Sequence, residues 1–431
     1  MKLKKGKFFN RGVHPKDMKY LSCDAPIERM ALPQTVAICL QQHIGKPAEC
    51  VVAIGDRVKT GQLIGKQSGP ISANVYASVS GEVKAIAQYP NPRGGASDYV
   101  VIESDGTDET VALAPIDTSD QNAIVERIRE AGIVGMGGAG FPTAVKLTPR
   151  TPVDTLIVNG AECEPYLTCD YRLMIERTEQ VVQGVRLLAK ALGVTNIVVG
   201  IEANKPKAIE LFAAHADIQV VVLKKRYPMG SEKHLIYCCT GRKVKPGKLP
   251  ADAGCVVQNI ATAYAVYEAV VENKPLYERI VTVSGQAIRT PKNLQVRFGT
   301  NFRTLLDACG ADDEKTAMLI AGGPMMGATI LHADYHTRKT DSGLLALDAQ
   351  SVGVSRPTAC INCGKCAQAC PMHLMPMRID FFTLAGDYSE AQKQGGVMNC
   401  IECGSCAYVC PANRALLQSI SLCKAKLRAM K

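Results

Sequence analysis

Cysteine spacing near the C-terminus carries the strongest chemical signal. One run reads Cys360-Ile-Asn-Cys363-Gly-Lys-Cys366-Ala-Gln-Ala-Cys370-Pro371, and a second reads Cys400-Ile-Glu-Cys403-Gly-Ser-Cys406-Ala-Tyr-Val-Cys410-Pro411. Both follow C-x2-C-x2-C-x3-C-P, the spacing of paired ferredoxin-type [4Fe–4S] sites. Three thiolates two residues apart curl one short loop around three corners of a cube. The fourth lies too far along for the same cube and caps the other cluster. The expected ligand sets are therefore Cys360, Cys363, Cys366 with Cys410, and Cys400, Cys403, Cys406 with Cys370. Structural zinc would be satisfied by two CxxC pairs and would leave the remaining cysteines without a reason. A disulfide framework is not needed in a chain of this length, and no secretory segment is visible. The other ten of the 18 cysteines, Cys39, Cys255 and Cys309 among them, read as buried reduced thiols. Two neighbouring clusters move single electrons, so the rest of the chain should supply or take them.

A second constellation lies upstream. Gly135-Met-Gly137-Gly138-Ala-Gly140 matches G-x-G-x-x-G, but a helical pattern precedes it and Phe141-Pro142 follows, so the usual dinucleotide reading fails. Its glycines still let backbone amides close around a phosphate or flat ring, and a plain glycine-rich turn has the same composition. Lys146 follows the loop, and the next strand ends in Asn159-Gly-Ala-Glu162-Cys-Glu164-Pro165. Polar groups at that strand end sit where ligands bind in α/β sheets, although paired glutamates also serve as solvated surface.

The elements that would position these groups follow from periodicity. Residues 31–105 read as short strands with Gly turns. Val51 to Gly65 and Ala77 to Ile86 form two halves similar to a lipoyl-type barrel-sandwich, and Gln67 to Tyr76 between them has no carrier lysine. From 120 to 272 helices and strands alternate: helix 120–131, strand 154–158, helix 171–192, strand 196–200, helix 205–215, strand 218–223 and helix 258–272. This alternation predicts parallel strands in an α/β layer. Residues 280–330 return to strands around the helix 302–309, as in a β-grasp-like unit.

Composition bounds the rest. The 431 residues are 47% hydrophobic and 21% charged, a globular balance with room for several domains. The weakly charged run Met318 to Leu331 is too short and Gly-rich to span a bilayer. The formal net charge is +10, and two oxidised clusters with their thiolates would bring it to about +6. Such a balance suits acidic redox partners or an anionic membrane face, and equally ordinary solubility. With no Trp and 5% aromatics, nothing reads as a nucleic-acid site.

Four blocks together resemble the flavin-bearing, NADH-binding subunit of respiratory complex I: Gly135 to Lys146, Asn159 to Pro165, Tyr227-Pro-Met-Gly230-Ser-Glu232, and Val257-Gln-Asn259-Ile-Ala-Thr262. With Gln42-His-Ile-Gly-Lys-Pro47, the barrel halves, Gly322-Gly-Pro-Met-Met-Gly327 and the doubled Cys motif, the chain is more similar still to the RnfC components of Rnf electron-transport complexes. The resemblance covers nearly the whole chain. It implies a multidomain α/β protein with a barrel-sandwich β domain and N-terminal segment over 1–115. A complex I flavoprotein-like FMN/NADH domain would follow over 116–275 and a β-grasp-like (SLBB) domain over 276–332. A linker over 333–355 would lead to a helical ferredoxin-like domain with two [4Fe–4S] clusters over 356–431. By the same resemblance Gly135, Gly137, Lys146, Asn159, Glu162, Gly230, Asn259 and Thr262 would line a non-covalent FMN. Phe141, Glu164 and Glu232 would face NAD(H), and a basic residue among Lys243, Lys245 and Lys248 would meet its phosphates. Ala161, Ser231 and Gln258 depart from the complex I pattern, where Asp, Glu and Asn are usual.

The implied function is the NAD(H)-oxidising or NAD-reducing subunit of a ferredoxin:NAD oxidoreductase complex. It would lie peripherally on the cytoplasmic face of the membrane, with an iron–sulfur subunit and membrane subunits as partners and ferredoxin reached through them. FMN would convert hydride transfer into one-electron steps, and ion translocation would belong to the partners. The layout is shared by a soluble alternative, the flavin–iron–sulfur cobalamin reductase of propanediol-utilisation compartments.

Overall fold

The computed structural model describes residues 3–92, 94–353 and 356–430. Lys2 of the basic start, residues 354–355 of the expected linker and Lys431 lie outside the described residues.

The alternating apolar positions of the N-terminal region fold into two antiparallel sheets. One has four strands in the order Thr35–Cys39, Ala96–Ser104, Gly81–Pro90, Arg57–Val58, and the other has three in the order Glu49–Cys50, Leu63–Lys66, Val75–Tyr76. Val36, Ile38, Ile64, Val75, Val83, Val100 and Ile102 fill the space between them. This is the barrel-sandwich expected from the two matched halves.

Five parallel strands form the middle of the molecule, in the order Leu3–Lys5, Ile218–Leu223, Asn196–Glu202, Thr155–Gly160, Cys255–Asn259. Leu156, Ile157 and Val158 are successive and all fully buried, because helices cover both faces of the sheet. One face packs on helices Gln121–Glu130, Thr178–Leu192 and Ile260–Val271, and the other on helix Glu232–Thr240. Helices Thr178–Leu192 and Ile260–Val271 approach so closely that a Cβ on Gly184 would lie 1.8 Å from the Ala263 carbonyl oxygen. The single helix expected over 171–192 is two, Cys169–Glu176 and Thr178–Leu192, broken at Arg177. The first piece is held at one end by Glu162 and at the other by Glu176, whose carboxylate accepts from Ile27 N–H at 3.1 Å.

Two boundaries differ from expectation. The stretch 333–355, read as a linker, contains the strand Gly343–Asp348, an apolar run with Leu344, Leu345 and Ala346 fully buried. It sits inside a six-stranded mixed sheet ordered Ala328–Ile330, Thr316–Ala321, Gly343–Asp348, Glu278–Ser284, Lys292–Arg297, Ile27–Arg29. Helix Phe302–Ala308, capped by Asn301, packs its Leu305 and Leu306 on this sheet. The N-terminal segment, grouped with the barrel, lends strands to two other sheets: Leu3 pairs with Val220, and Ile27 with Asn293.

The C-terminal unit is built from helices Lys365–Ala369, Pro376–Leu384, Tyr388–Gly395, Ser405–Tyr408 and Leu416–Ala429. Its repeat reaches the backbone. Left-handed residues at Asn362, Gly364 and His373 recur at Glu402, Gly404 and Asn413. Such residues turn successive amides toward the inside of a loop, the concavity that anionic iron–sulfur groups occupy. No helix among the described residues is long and apolar enough to cross a membrane.

Candidate flavin and iron–sulfur sites

The cysteines gather in the crossed sets that the spacing predicts. Cys360, Cys363, Cys366 and Cys410 line one pocket with Met377 and Pro411, and Cys370, Cys400, Cys403 and Cys406 line the other with Pro371 and Ser405. None is in a disulfide. In the second set Cys370, Cys403 and Cys406 are buried, whereas Cys360 and Cys363 of the first are exposed. Burial pushes the Cys400 thiol up to about 11 and raises Cys403 and Cys406 as well. Several thiols crowded in a dry pocket become thiolates only beside a cation, so this donor set fits an iron–sulfur core.

The inner pocket is pressed against the parallel sheet domain. His234 Nε2 lies 3.2 Å from the Pro371 carbonyl oxygen, Gly12 N–H donates to Ala369 at 3.0 Å, and Arg11 donates to Ala367 at 2.9 Å. Tyr227, 2% exposed, packs in one apolar cluster with Val13, Cys163, Met325, Ala369 and Cys403. Gly404 meets the Met325 carbonyl oxygen so closely that a Cβ would lie 2.6 Å from it.

Around the glycine loop the backbone closes on itself. Gly135 N–H donates to the Phe141 carbonyl at 2.9 Å, and Thr143 N–H to Ile133 at 3.0 Å. Met136 N–H donates to the buried Thr262 hydroxyl at 3.0 Å. A Cβ on Gly137 would lie 2.8 Å from Asn259 Nδ2, while one on Gly138 would meet nothing within 4 Å. Phe141 is half-buried beside the loop. Asn259 caps its helix through Ala261 N–H at 2.8 Å and donates to Asp170 at 2.6 Å.

The strand end carries the buried acids. Glu162 holds a left-handed backbone (φ 43°), uncommon outside glycine. Its Oε1 accepts from Asp170 N–H at 2.7 Å and Tyr171 N–H at 3.3 Å, at the amino end of helix Cys169–Glu176. Its Oε2 lies 3.7 Å from Lys19 Nζ and has no hydrogen-bond partner among the described residues. Burial pushes Glu162 up to about 7, against the pull of Lys19 and Lys205. Glu164 is also raised to about 7 by burial, although it accepts from Met325 N–H at 3.1 Å. Asn159 Nδ2 donates to the Gly230 carbonyl at 2.9 Å. Lys146 donates to Glu232 at 2.8 Å and to the Val257 carbonyl at 3.2 Å, so the residues expected to face FMN and NAD(H) meet as an ion pair.

These contacts bear on a flavin. The glycine loop has an open position at Gly138, buried Glu162 Oε2 and Gln258 Nε2 lack hydrogen-bond partners among the described residues, and Lys146 pairs with the half-exposed Glu232. An open glycine position, a cation and unsatisfied buried polar atoms near the carboxyl ends of two neighbouring strands suit a phosphate-bearing ring. Several groups were not singled out from sequence. Lys205 donates to the Ala161 carbonyl at 2.7 Å, and Lys19 donates to the carbonyls of Glu164, at 3.0 Å, and Leu167. Lys19 stands far upstream, with no local signal tying it to Glu162. Asp170 had one, an acid in the first turn of a helix.

A parallel-sheet flavin domain joined to a two-cluster unit defines a flavin–iron–sulfur oxidoreductase subunit, and comparison with known proteins agrees. Residues 128–268 match the FMN-binding domain of the complex I 51-kDa subunit (Nuo51), residues 7–107 the RnfC barrel sandwich hybrid domain, and residues 353–411 the 4Fe-4S dicluster domain. The chain belongs to the RnfC family, whose members are components of ion-translocating ferredoxin:NAD(+) oxidoreductase complexes. It is 48% identical to the RnfC-type component of the proton-translocating ferredoxin:NAD(+) oxidoreductase complex of Clostridium ljungdahlii, over 98% of this chain and 94% of that one. Identity is 45% to the corresponding component of the ion-translocating oxidoreductase complex of Rhodobacter capsulatus, over 96% and 82%. It is 41% to that of the Na(+)-translocating ferredoxin:NAD(+) oxidoreductase complex of Acetobacterium woodii, over 98% of each. A crystal structure of an NAD+-reducing [NiFe]-hydrogenase aligns with TM-score 0.49 and 19% identity, over 73% of this chain and 62% of that one. Family membership decides for the complex-bound reading over the soluble cobalamin reductase. The chain is an oxidoreductase subunit with FMN, NAD(H) and two [4Fe–4S] clusters as its redox groups.

Proposed function

We propose that the chain exchanges hydride with NAD(H) at the glycine-loop face and passes single electrons through the inner cysteine pocket to the outer one. Bound FMN supplies the conversion between a hydride's electron pair and one-electron steps. Gly135, Gly137, Asn159, Gly230, Asn259 and Thr262 shape its cradle, Lys146 offers a cation, and Glu162 holds the strand end against the helix terminus. Phe141, Glu164 and Glu232 form the NAD(H) side. The two crossed cysteine sets hold the clusters. Electrons leave where Cys360 and Cys363 are exposed, toward an iron–sulfur partner that connects with membrane subunits and, through them, ferredoxin. The chain sits peripherally on the cytoplasmic face, and its partners move the ion.

The carrying observation is the wall between the two sites. Cys403 and Tyr227 belong to one buried apolar cluster, and Tyr227 donates to Glu164 at 3.4 Å, so protein interior joins the strand end to the inner cysteines. The test is NADH:acceptor turnover of the isolated, FMN-replete protein beside a dithionite titration followed by EPR. Glu164→Gln should lower NADH turnover and leave dithionite reduction of both clusters unchanged. Clusters that reduce with dithionite in an unmodified protein inert to NADH would overturn the assignment.

A further inference from the structure

The barrel domain contributes none of the residues placed around the flavin or the clusters, yet it is fastened to the base of the glycine loop. Lys339, 0% exposed, is the fastener. Its Nζ donates to the Asn74 carbonyl at 2.6 Å, in the barrel hairpin, and to the Gly132 carbonyl at 2.7 Å, just before the glycine loop. Its own N–H donates to Gln42 Oε1 of the barrel at 2.9 Å. The Lys339 carbonyl accepts from Arg279, and the same Arg279 nitrogen donates to the Met136 carbonyl inside the loop at 3.1 Å.

Both ends of the loop are seated against this brace. Gly132 is left-handed (φ +68°), and a Cβ there would lie 2.3 Å from the Asn74 carbonyl oxygen. Gly140 is also left-handed (φ +69°), and its Cβ would lie 2.9 Å from Thr340 Cγ2 and 3.1 Å from the Gln42 carbonyl oxygen. The barrel hairpin is therefore docked, and Asn74 Nδ2 adds a bond to the Glu130 carbonyl at 2.9 Å. No ion pair to Lys339 exists among the described residues, and burial alone brings its ammonium down to about 7. The neutral amine keeps two N–H groups, enough for both carbonyls. A methionine would fill the space without the desolvation cost; what the lysine adds is a bond to each of two domains.

We propose that Lys339, with Gln42, is a positioning residue for the flavin: it locks the barrel hairpin to the glycine loop, so that the barrel domain sets the loop geometry FMN binding requires. This rests on the reading that FMN occupies the glycine loop.

The experiment strips FMN from the full chain, titrates FMN back by fluorescence quenching, and counts iron and measures Tm in parallel. Lys339→Met should weaken FMN binding about tenfold or more, the effect of leaving buried carbonyls without donors next to the loop, with iron content unchanged. Gln42→Ala, which changes only the barrel side, should weaken it in the same direction and carries the test if Lys339→Met does not fold. Ser80→Ala, which removes a barrel hydrogen bond to Asp105 that involves no residue of the brace, should leave FMN affinity as it is. Unchanged FMN affinity in Lys339→Met or Gln42→Ala, or equal weakening in Ser80→Ala, overturns the proposal. An unmodified protein that binds no FMN would instead overturn the placement of the flavin itself.

Discussion

Tyr227 Oη lies 3.4 Å from Glu164 Oε1, and its ring shares one buried apolar cluster with Cys403. One side chain thus binds the acid at the strand end and lies in the apolar cluster of an expected ligand of the inner cluster. Tyr227→Ala should open a cavity at this joint and cost about 3 kcal/mol or more of stability. NADH should then reduce the clusters more slowly than in the parent, while dithionite still reduces both. Stopped-flow absorbance checks this, and NADH-driven rates equal to the parent's would show that the joint does not matter for transfer.

Gly137→Val places a branched side chain where even a Cβ would lie 2.8 Å from Asn259. Asn259 also caps a helix and holds Asp170, so it has little freedom to move. FMN content by absorbance should fall well below the parent's, with iron analysis still giving about eight iron per chain for two intact clusters. Full flavin retention would move the flavin elsewhere.

Cys370→Ser separates the crossed ligand assignment from an uncrossed one. Cys370 lines the pocket of Cys400, Cys403 and Cys406, not that of the three cysteines before it in sequence. EPR should show the inner cluster lost or altered and the outer one preserved. Damage confined to the cluster of Cys360 would contradict the crossing.

Glu162 gives a pH dependence with a definite sign. Its carboxyl is raised by burial from 4.5 to about 7 in the folded chain. Between those values the native state holds a proton that the unfolded state has released, so this group's contribution falls as pH rises from about 4.5 to 7. Glu162→Gln in flavin-free protein should therefore gain stability relative to the parent between pH 5 and pH 8, by no more than about 3 kcal/mol. Denaturant unfolding at the two values reads it. A variant equally displaced from the parent at both would mean that Glu162 stays ionised throughout.

Local chemistry was what the sequence made legible. Cysteine spacing specifies loops, and loops of that spacing can only wrap small pockets, so both cysteine sets could be written down before any fold was known. The alternation from residue 120 onward likewise led to the parallel sheet through its three inner runs, Thr155–Gly160, Asn196–Glu202 and Ile218–Leu223, while strand Cys255–Asn259 overlaps the start of the helix expected over 258–272. What stayed hidden depends on contacts between distant segments. Lys19 and Lys205 near Glu162, and Lys339 under the glycine loop, sit in stretches without a motif, and only the tertiary fold brings them in. Strand Gly343–Asp348 reads equally as loop, because its five apolar or small residues stand between polar stretches. Arg177, where one expected helix becomes two, carries no Gly or Pro to mark the break.

The short N-terminal strands have a consequence for how the chain comes into being. Leu3–Lys5 completes its sheet only beside Ile218–Leu223, and Ile27–Arg29 only beside Lys292–Arg297. During synthesis the first strand emerges more than two hundred residues before its partner and the second more than two hundred and fifty before its own. The barrel that follows them can close early on nearby pairings, but both strands remain unpaired until most of the polypeptide has left the ribosome. Assembly of the central and six-stranded sheets is therefore a late event, and truncated nascent chains should expose these segments to chaperones or proteases long after the barrel has folded.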